Sequence, residues 1–178
     1  MMGRFFTPAQ VQIAGSAFTQ AENLVGRHFR MTGEDMKAHR YDVKTLAFLE
    51  DHEVRDEAFA HLCKYQSGRE KAGLGQAPGM HFYRVCLQDN RILDAVERGT
   101  SFIRLNPLLL YIAAHELVHI IRFDRGEIDF DAPESDKTRE EEKVHGITRT
   151  ILQGLRQPEV GIVAECFDSR YRLGDWVN

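Results

Sequence analysis

The most apolar stretch of the chain, residues 107–123, reads Pro-Leu-Leu-Leu-Tyr-Ile-Ala-Ala-His-Glu-Leu-Val-His-Ile-Ile-Arg-Phe. It holds no glycine. Its one proline, Pro107, opens it, where a missing N–H costs nothing in a first helical turn, and Asn106 is a candidate N-cap. A run that is apolar on nearly every side predicts a buried helix. A second helix is predicted over residues 139–155, where Val144, Ile147, Ile151 and Leu155 recur at helical spacing and mark one apolar stripe. Residues 81–88 are rich in β-formers and read as a strand. Asp89-Asn90 and Gly99-Thr100 read as turns, residues 91–97 fit a strand or a helical turn, and residues 101–106 read as a second strand. Near the start, Thr7-Pro8 is a cap followed by proline at the first helical position, predicting a helix to about Phe29. Asp42 and Asp51 are candidate caps of two more helices, over 42–50 and 52–66. The loop from Gly73 to Gly79, with Pro78, divides a helical half from the rest. These elements predict an α+β fold, mostly helical, with a small sheet beside the 107–123 helix. One domain is expected, with a helical half (1–72), a core (80–155) and a tail (156–178). In the tail, Trp176, and Tyr171 between Arg170 and Arg172, form no interpretable motif.

Buried polar groups change this picture. His115 and His119 lie four apart on the apolar helix, so their imidazoles share one face one turn apart. Unpaired polar groups in such a place cost on the order of 1–3 kcal/mol each. Two neutral imidazoles at this spacing can grip one metal ion, with Glu116 beside them as general base. The simpler alternative, that His115, Glu116 and His119 satisfy one another and the backbone, fits any single buried histidine better than it fits all three.

Catalytic zinc usually takes three protein ligands and keeps a fourth position open. The long metzincin pattern would need Gly at 122 and His at 125, where this chain has Arg122 and Arg125. Gly126 and Asp129 give a faint aspartate signal. The stronger candidates lie in Arg139-Glu-Glu-Glu-Lys-Val-His145. An advance of about 100° per residue places Glu141 and Glu140 on the two flanks of the apolar stripe and turns Glu142 away from it. His145 sits one turn beyond Glu141. Glu141 is the favoured third ligand and His145 its main rival; an acidic first turn complementing the helix dipole is the alternative account of the three glutamates.

The His115-Glu-Leu-Val-His119 unit followed by a helix bearing Glu141-x-x-x-His145 resembles the zincin metallopeptidases, within them the glutamate-zincin branch, and also the small repressor-cleaving peptidases. The branch pattern is Glu-x-x-x-Asp, so here His145 stands where the family has aspartate. The resemblance implies a zincin-like core over about residues 80–155, Zn²⁺ held by His115, His119 and Glu141, with His145 orienting a ligand or serving as one, and hydrolysis of peptide bonds. It also implies that one of the strands before the motif helix is an edge strand that pairs with extended substrate. An oxyanion partner among Tyr83, Tyr111 and Tyr171 is not singled out by spacing. Two other readings remain open. One is a di-iron carboxylate protein built on Glu116-x-x-His119 and Glu142-x-x-His145. The other is a non-catalytic module holding a structural metal.

Composition adds bounds. With 178 residues, 43% hydrophobic and 28% charged, the chain can bury a sizeable core. A net charge of −4 gives no electrostatic case for nucleic acid or anionic membrane. The acidic stretch 124–142 reads first as a solvated loop, with attraction of a basic substrate as the alternative. Cys63, Cys86 and Cys166 are scattered without a CxxC pair and read as buried thiols, neither a disulfide framework nor a thiolate zinc site. No run of transmembrane length and no signal peptide stands out, so a cytoplasmic protein acting on a peptide or protein substrate is expected.

Overall fold

The computed structural model describes residues 4–66, 80–99, 103–166 and 176–177. In chain order the elements are α1 (Pro8–His28), α2 (Gly33–Ala38), β1 (Tyr41–Lys44), β2 (Ala60–Gln66), β3 (His81–Leu87), α3 (Asp89–Arg98), α4 (Leu105–Asp124), α5 (Glu134–Gln153), α6 (Pro158–Cys166) and β4 (Trp176–Val177). Two 3-10 turns, Leu46–Phe48 and Asp51–Glu53, lie between β1 and β2. The fold is α+β, as its sequence pattern predicts.

Helix α4 is the centre of the molecule. Every residue from Leu108 to Phe123 is buried. One side packs on the sheet, where Tyr83 of β3 stacks on Phe123 with ring centroids 5.8 Å apart. The other sides are covered by α1, α5 and α6. Helix α1 lays the small face Ala14, Ala17, Ala21 and Val25, with Phe18, into this core. Its start is the predicted one. Thr7 Oγ1 accepts the Gln10 N–H (3.3 Å) and Gln10 Oε1 accepts the Thr7 N–H (2.9 Å), closing a reciprocal box ahead of Pro8.

Helix α4 begins two residues earlier than its sequence suggests. Arg104 is the N-cap, without a side-chain capping bond, and Pro107 falls third in the helix, still among the turn that needs no donor. Its end is well determined. Gly126 adopts φ +69°, its N–H reaches the Phe123 carbonyl (3.0 Å), and the Glu127 N–H reaches the Arg122 carbonyl (3.0 Å). This is the Schellman termination, which needs a left-handed residue at that one position. Gly126 thus serves the helix end, and Asp129 is exposed, its Oδ1 accepting the Asp131 N–H. Asp124, the last helical residue, pairs with His39 Nδ1 (2.6 Å) and His81 Nε2 (2.8 Å), fixing α4 to the approach to β1 and to the first residue of β3.

The sheet order is β1-β3-β2-β4. β3 runs parallel to β1 and antiparallel to β2, and β4 runs parallel to β2. Ala60, Leu62 and Lys64 lie opposite Leu87, Val85 and Tyr83, and the apolar members of this face join the α4 core. His61, Cys63 and Tyr65 lie opposite Cys86, Arg84 and Phe82 on the other face. That outer face is covered by the segment carrying the 3-10 turns. Glu53 reaches in from it, fully buried, and pairs with Arg84 (2.9 Å) and Tyr65; Arg84 also forks onto Asp42 of β1 (2.9 Å on both arms). Burial works against ionisation of Glu53, but hydrogen bonds from the Tyr65 hydroxyl, the Glu50 N–H and Arg84, together with the Arg84 charge, hold its carboxyl at about 2. A folded-state value below the unfolded one contributes stability above the unfolded carboxylate value and loses it as pH falls through the folded one. Glu53→Gln is therefore expected to lose about 2–3 kcal/mol of unfolding free energy at neutral pH. The gap to the unsubstituted protein should close between about pH 4 and pH 2. Urea unfolding of the two proteins across that range measures it, and a gap independent of pH would refute the assignment.

Several expectations are overturned. Residues 42–50 and 52–66 are not helices; they hold β1, the two turns and β2. Asp89-Asn90 opens α3 and is not a free turn, and residues 91–97 are helical. Residues 103 and 104 are irregular and 105–106 begin α4, so no strand occupies 103–106. β3 is paired on both sides and is not an edge strand; among the described strands the edges are β1 and β4. The expected tail holds α6. The acidic stretch is largely structured: α5 starts at Glu134, and Asp124, Glu127 and Glu140 are in ion pairs. The predicted 73–79 loop, Thr100 to Phe102 and Arg170 to Arg172 lie outside the described residues. Among the described residues, no helix is long and apolar enough to cross a membrane.

Candidate metal centre

Helical geometry puts His115 and His119 side by side on α4, ring centroids 4.8 Å apart. Their Nε2 atoms stand 3.1 Å from each other. Glu141 comes from α5 and closes a triangle. Its Oε2 lies 3.1 Å from His115 Nε2, and its Oε1 lies 3.1 Å from His119 Nε2. The structure thus brings together the three residues singled out as ligands from sequence.

The registration of α5 on α4 is set next door. Arg122, one turn beyond His119, is buried and forks onto Glu140 through Nε and Nη2, while its Nη1 pairs with Glu127. Glu140 is therefore consumed by an ion pair, and its neighbour Glu141 is the carboxylate delivered to the imidazoles. Glu142 is exposed. His145 is buried one turn on, and its Nδ1 is hydrogen-bonded to the Tyr111 hydroxyl, one turn before His115 on α4. It belongs to the surroundings of the triangle and is not one of its corners. On the far side, the His119 ring stacks on Phe123 (5.9 Å, 15° between planes), which itself lies against Tyr83. Tyr83 is thus a core residue, Tyr111 is committed to His145, and Tyr171 lies outside the described residues.

Does the cluster fit a metal? Donors about 2.0–2.1 Å from a tetrahedral zinc stand about 3.3–3.4 Å from one another. The two Nε2 atoms, 3.1 Å apart, each with one Glu141 oxygen at 3.1 Å (Oε2 for His115, Oε1 for His119), come close to that figure. A protein-only account is poor. If each Nε2 donates to the carboxylate, two donors face each other at 3.1 Å; if either accepts, a carboxylate contact becomes repulsive. A cation at the centre would satisfy all three donors at once. Glu116 supports the same view. It is 2% exposed, and its Oε1 has no hydrogen-bond partner among the described residues. Burial is the main cause that pushes its carboxyl up to about 7, the Glu141 charge adding to it and the His115 charge opposing it. Glu141 behaves oppositely. Burial again disfavours its charge, but the His119 and His115 imidazoles outweigh it and hold the carboxyl well below the usual range. Two glutamates in one buried site are thus pushed apart, one toward proton acceptance near neutrality and one toward a permanent anion. Glu141 is the member of the triangle nearest solvent, its side chain 14% exposed against 2% for each histidine.

Comparison of the chain with protein-family models, curated proteins and solved structures finds no match. The site's chemistry is the guide to function.

Proposed function

We propose that this protein is a zinc-dependent metallopeptidase of zincin type, hydrolysing peptide bonds in a peptide or protein substrate. The observation that carries the reading is the 3.1 Å triangle of His115 Nε2, His119 Nε2 and the Glu141 carboxylate, with the buried Glu116 carboxyl beside it. His115, His119 and Glu141 would hold the ion. Zinc bound there would supply Lewis acidity and lower the pKa of an attacking water toward neutrality. Glu116 takes the water's proton as that oxygen attacks the scissile carbonyl, and returns it to the departing amine nitrogen. A base held near neutral pH suits both transfers. The apolar wall of α4 keeps bulk water off the Glu116 carboxyl, so its affinity for a proton is set by the site and not by solvent.

The di-iron alternative is poorly served. Its second Glu-x-x-His unit would need Glu142, which is exposed on α5.

The test pairs metal analysis with an unbiased peptide-library digest. The His119→Ala protein is expected to hold one metal equivalent fewer than the unsubstituted chain and to cleave nothing. Equal metal content in the two proteins, or two irons at this site, would overturn the proposal. So would a zinc-loaded chain that leaves every peptide of the library intact.

A further inference from the structure

A second cluster of metal-binding side chains lies on the opposite face of the sheet. β2 contributes His61 and Cys63, and β3 contributes Cys86, directly across from His61. All three are buried, at 0%, 4% and 0% exposure. Cys63 Sγ is 3.9 Å from His61 Nδ1 and 3.9 Å from Cys86 Sγ. One donor atom from each lies within 4.8 Å of the others.

The tautomer of His61 is fixed by its other nitrogen. Nε2 contacts the Glu53 backbone carbonyl, which can only accept, so Nε2 carries the proton. A neutral ring then presents the Nδ1 lone pair toward the two sulfurs. An imidazole donating its far N–H to a carbonyl is the usual arrangement of a metal-ligating histidine. Distances agree as well. Sulfur about 2.3 Å and nitrogen about 2.0 Å from a tetrahedral zinc give a sulfur–sulfur edge of about 3.8 Å and a sulfur–nitrogen edge of about 3.5 Å. A disulfide would need the sulfurs about 2.05 Å apart. Charge selects the ion. Two thiolates and a neutral imidazole carry two negative charges, which a divalent ion cancels, and a buried site with net charge is heavily penalised. Nearby Glu53 is already taken by Arg84 and Tyr65, so it does not compete for the ion.

We propose that His61, Cys63 and Cys86 form a second site, for a thiophilic divalent ion of the zinc class, that fastens β2 and β3 together beneath the segment bearing Glu53. The site does not depend on the peptidase reading, since none of its residues belongs to the α4–α5 triangle. It also replaces the expectation that Cys63 and Cys86 are buried thiols and no thiolate zinc site; Cys166, expected to be buried, is exposed and stays outside it.

Cobalt(II) is the probe, added to the reduced protein without oxygen. Only thiolate ligands give a near-ultraviolet sulfur-to-cobalt charge-transfer band, so the His115, His119 and Glu141 triangle does not contribute to it. The unsubstituted protein is expected to show this band, saturating within two added equivalents because the triangle takes the other ion, and excess zinc is expected to abolish it. The band should persist in His119→Ala, fall about twofold in Cys63→Ser or Cys86→Ser with one of two thiolates left, and vanish in the double variant. The unsubstituted protein alone decides the matter should a variant fail to fold. Absence of the band at excess cobalt would overturn the proposal, as would Cys63 and Cys86 that react with a thiol reagent equally fast with and without zinc.

Discussion

Glu116→Gln is expected to keep its full metal content and to lose peptide turnover by a factor of about 10²–10⁴, the range that a positioned general base supplies. Glutamine keeps the shape of the side chain but cannot accept the proton. Metal content should hold because Glu116 is not a corner of the 3.1 Å triangle; those corners are His115, His119 and Glu141. Folding should hold as well, because the wall of α4 already favours the uncharged side chain, pushing the carboxyl up to about 7 chiefly by burial. The loss should fall on kcat, since the base acts in the transition state. The measurements are kcat and KM on a peptide drawn from the library digest, with metal analysis on the same preparation. Undiminished turnover would remove Glu116 from the chemistry; lost metal would mean that the carboxylate is a ligand after all.

The second large effect separates two adjacent glutamates. Glu141→Gln is expected to weaken zinc binding at the triangle by more than about 100-fold, because even groups that only support a ligand cost 10–100-fold when removed. Some stability without metal should go as well, since the imidazoles favour the Glu141 charge in the folded protein, so zinc affinity is the arm that isolates its ligand role. Glu140→Gln should spare zinc binding and cost stability. It leaves the triangle intact and takes the charge from a carboxylate that Arg122 holds in a buried fork. Breaking a buried pair typically costs about 3–5 kcal/mol; with Glu127 still on Arg122, a loss of about 2–3 kcal/mol is expected. Zinc affinity by competitive chelation and urea unfolding read the two arms. If Glu140→Gln lost zinc while Glu141→Gln kept it, α5 would have to sit rotated on α4, with Glu140 facing the imidazoles.

Much of this site is readable in the sequence because helices carry their own ruler. His115 and His119 declare one face by spacing alone, and the Val144–Ile151 stripe orients α5 well enough to separate Glu141 from Glu142. Spacing does not separate Glu141 from Glu140 and His145. That choice depends on Arg122 and Tyr111, which take Glu140 and His145 across a helix interface. The strands are harder to read. Ala60 to Cys63 are buried on both faces of the sheet, so the alternation that marks a half-buried strand is erased. With Ala, Leu, Lys and Gln among its residues, β2 looks like helix by propensity. The same ambiguity hides the second cluster, since Cys63 and Cys86 become neighbours only when β2 and β3 are paired. Residues 105–106 resemble a strand end because Asn106 ahead of Pro107 looks like a helix cap, whereas Arg104 fills that place with no side-chain bond at all.

Helix α4 is both the spine of the molecule and the bearer of its histidine pair, buried from Leu108 to Phe123. In an unfolded chain those residues lose the surrounding wall that sets their spacing and drives the Glu116 carboxyl up. The proposed hydrolytic capacity would therefore arise only with folding, and the unfolded chain is expected to be inert toward peptides.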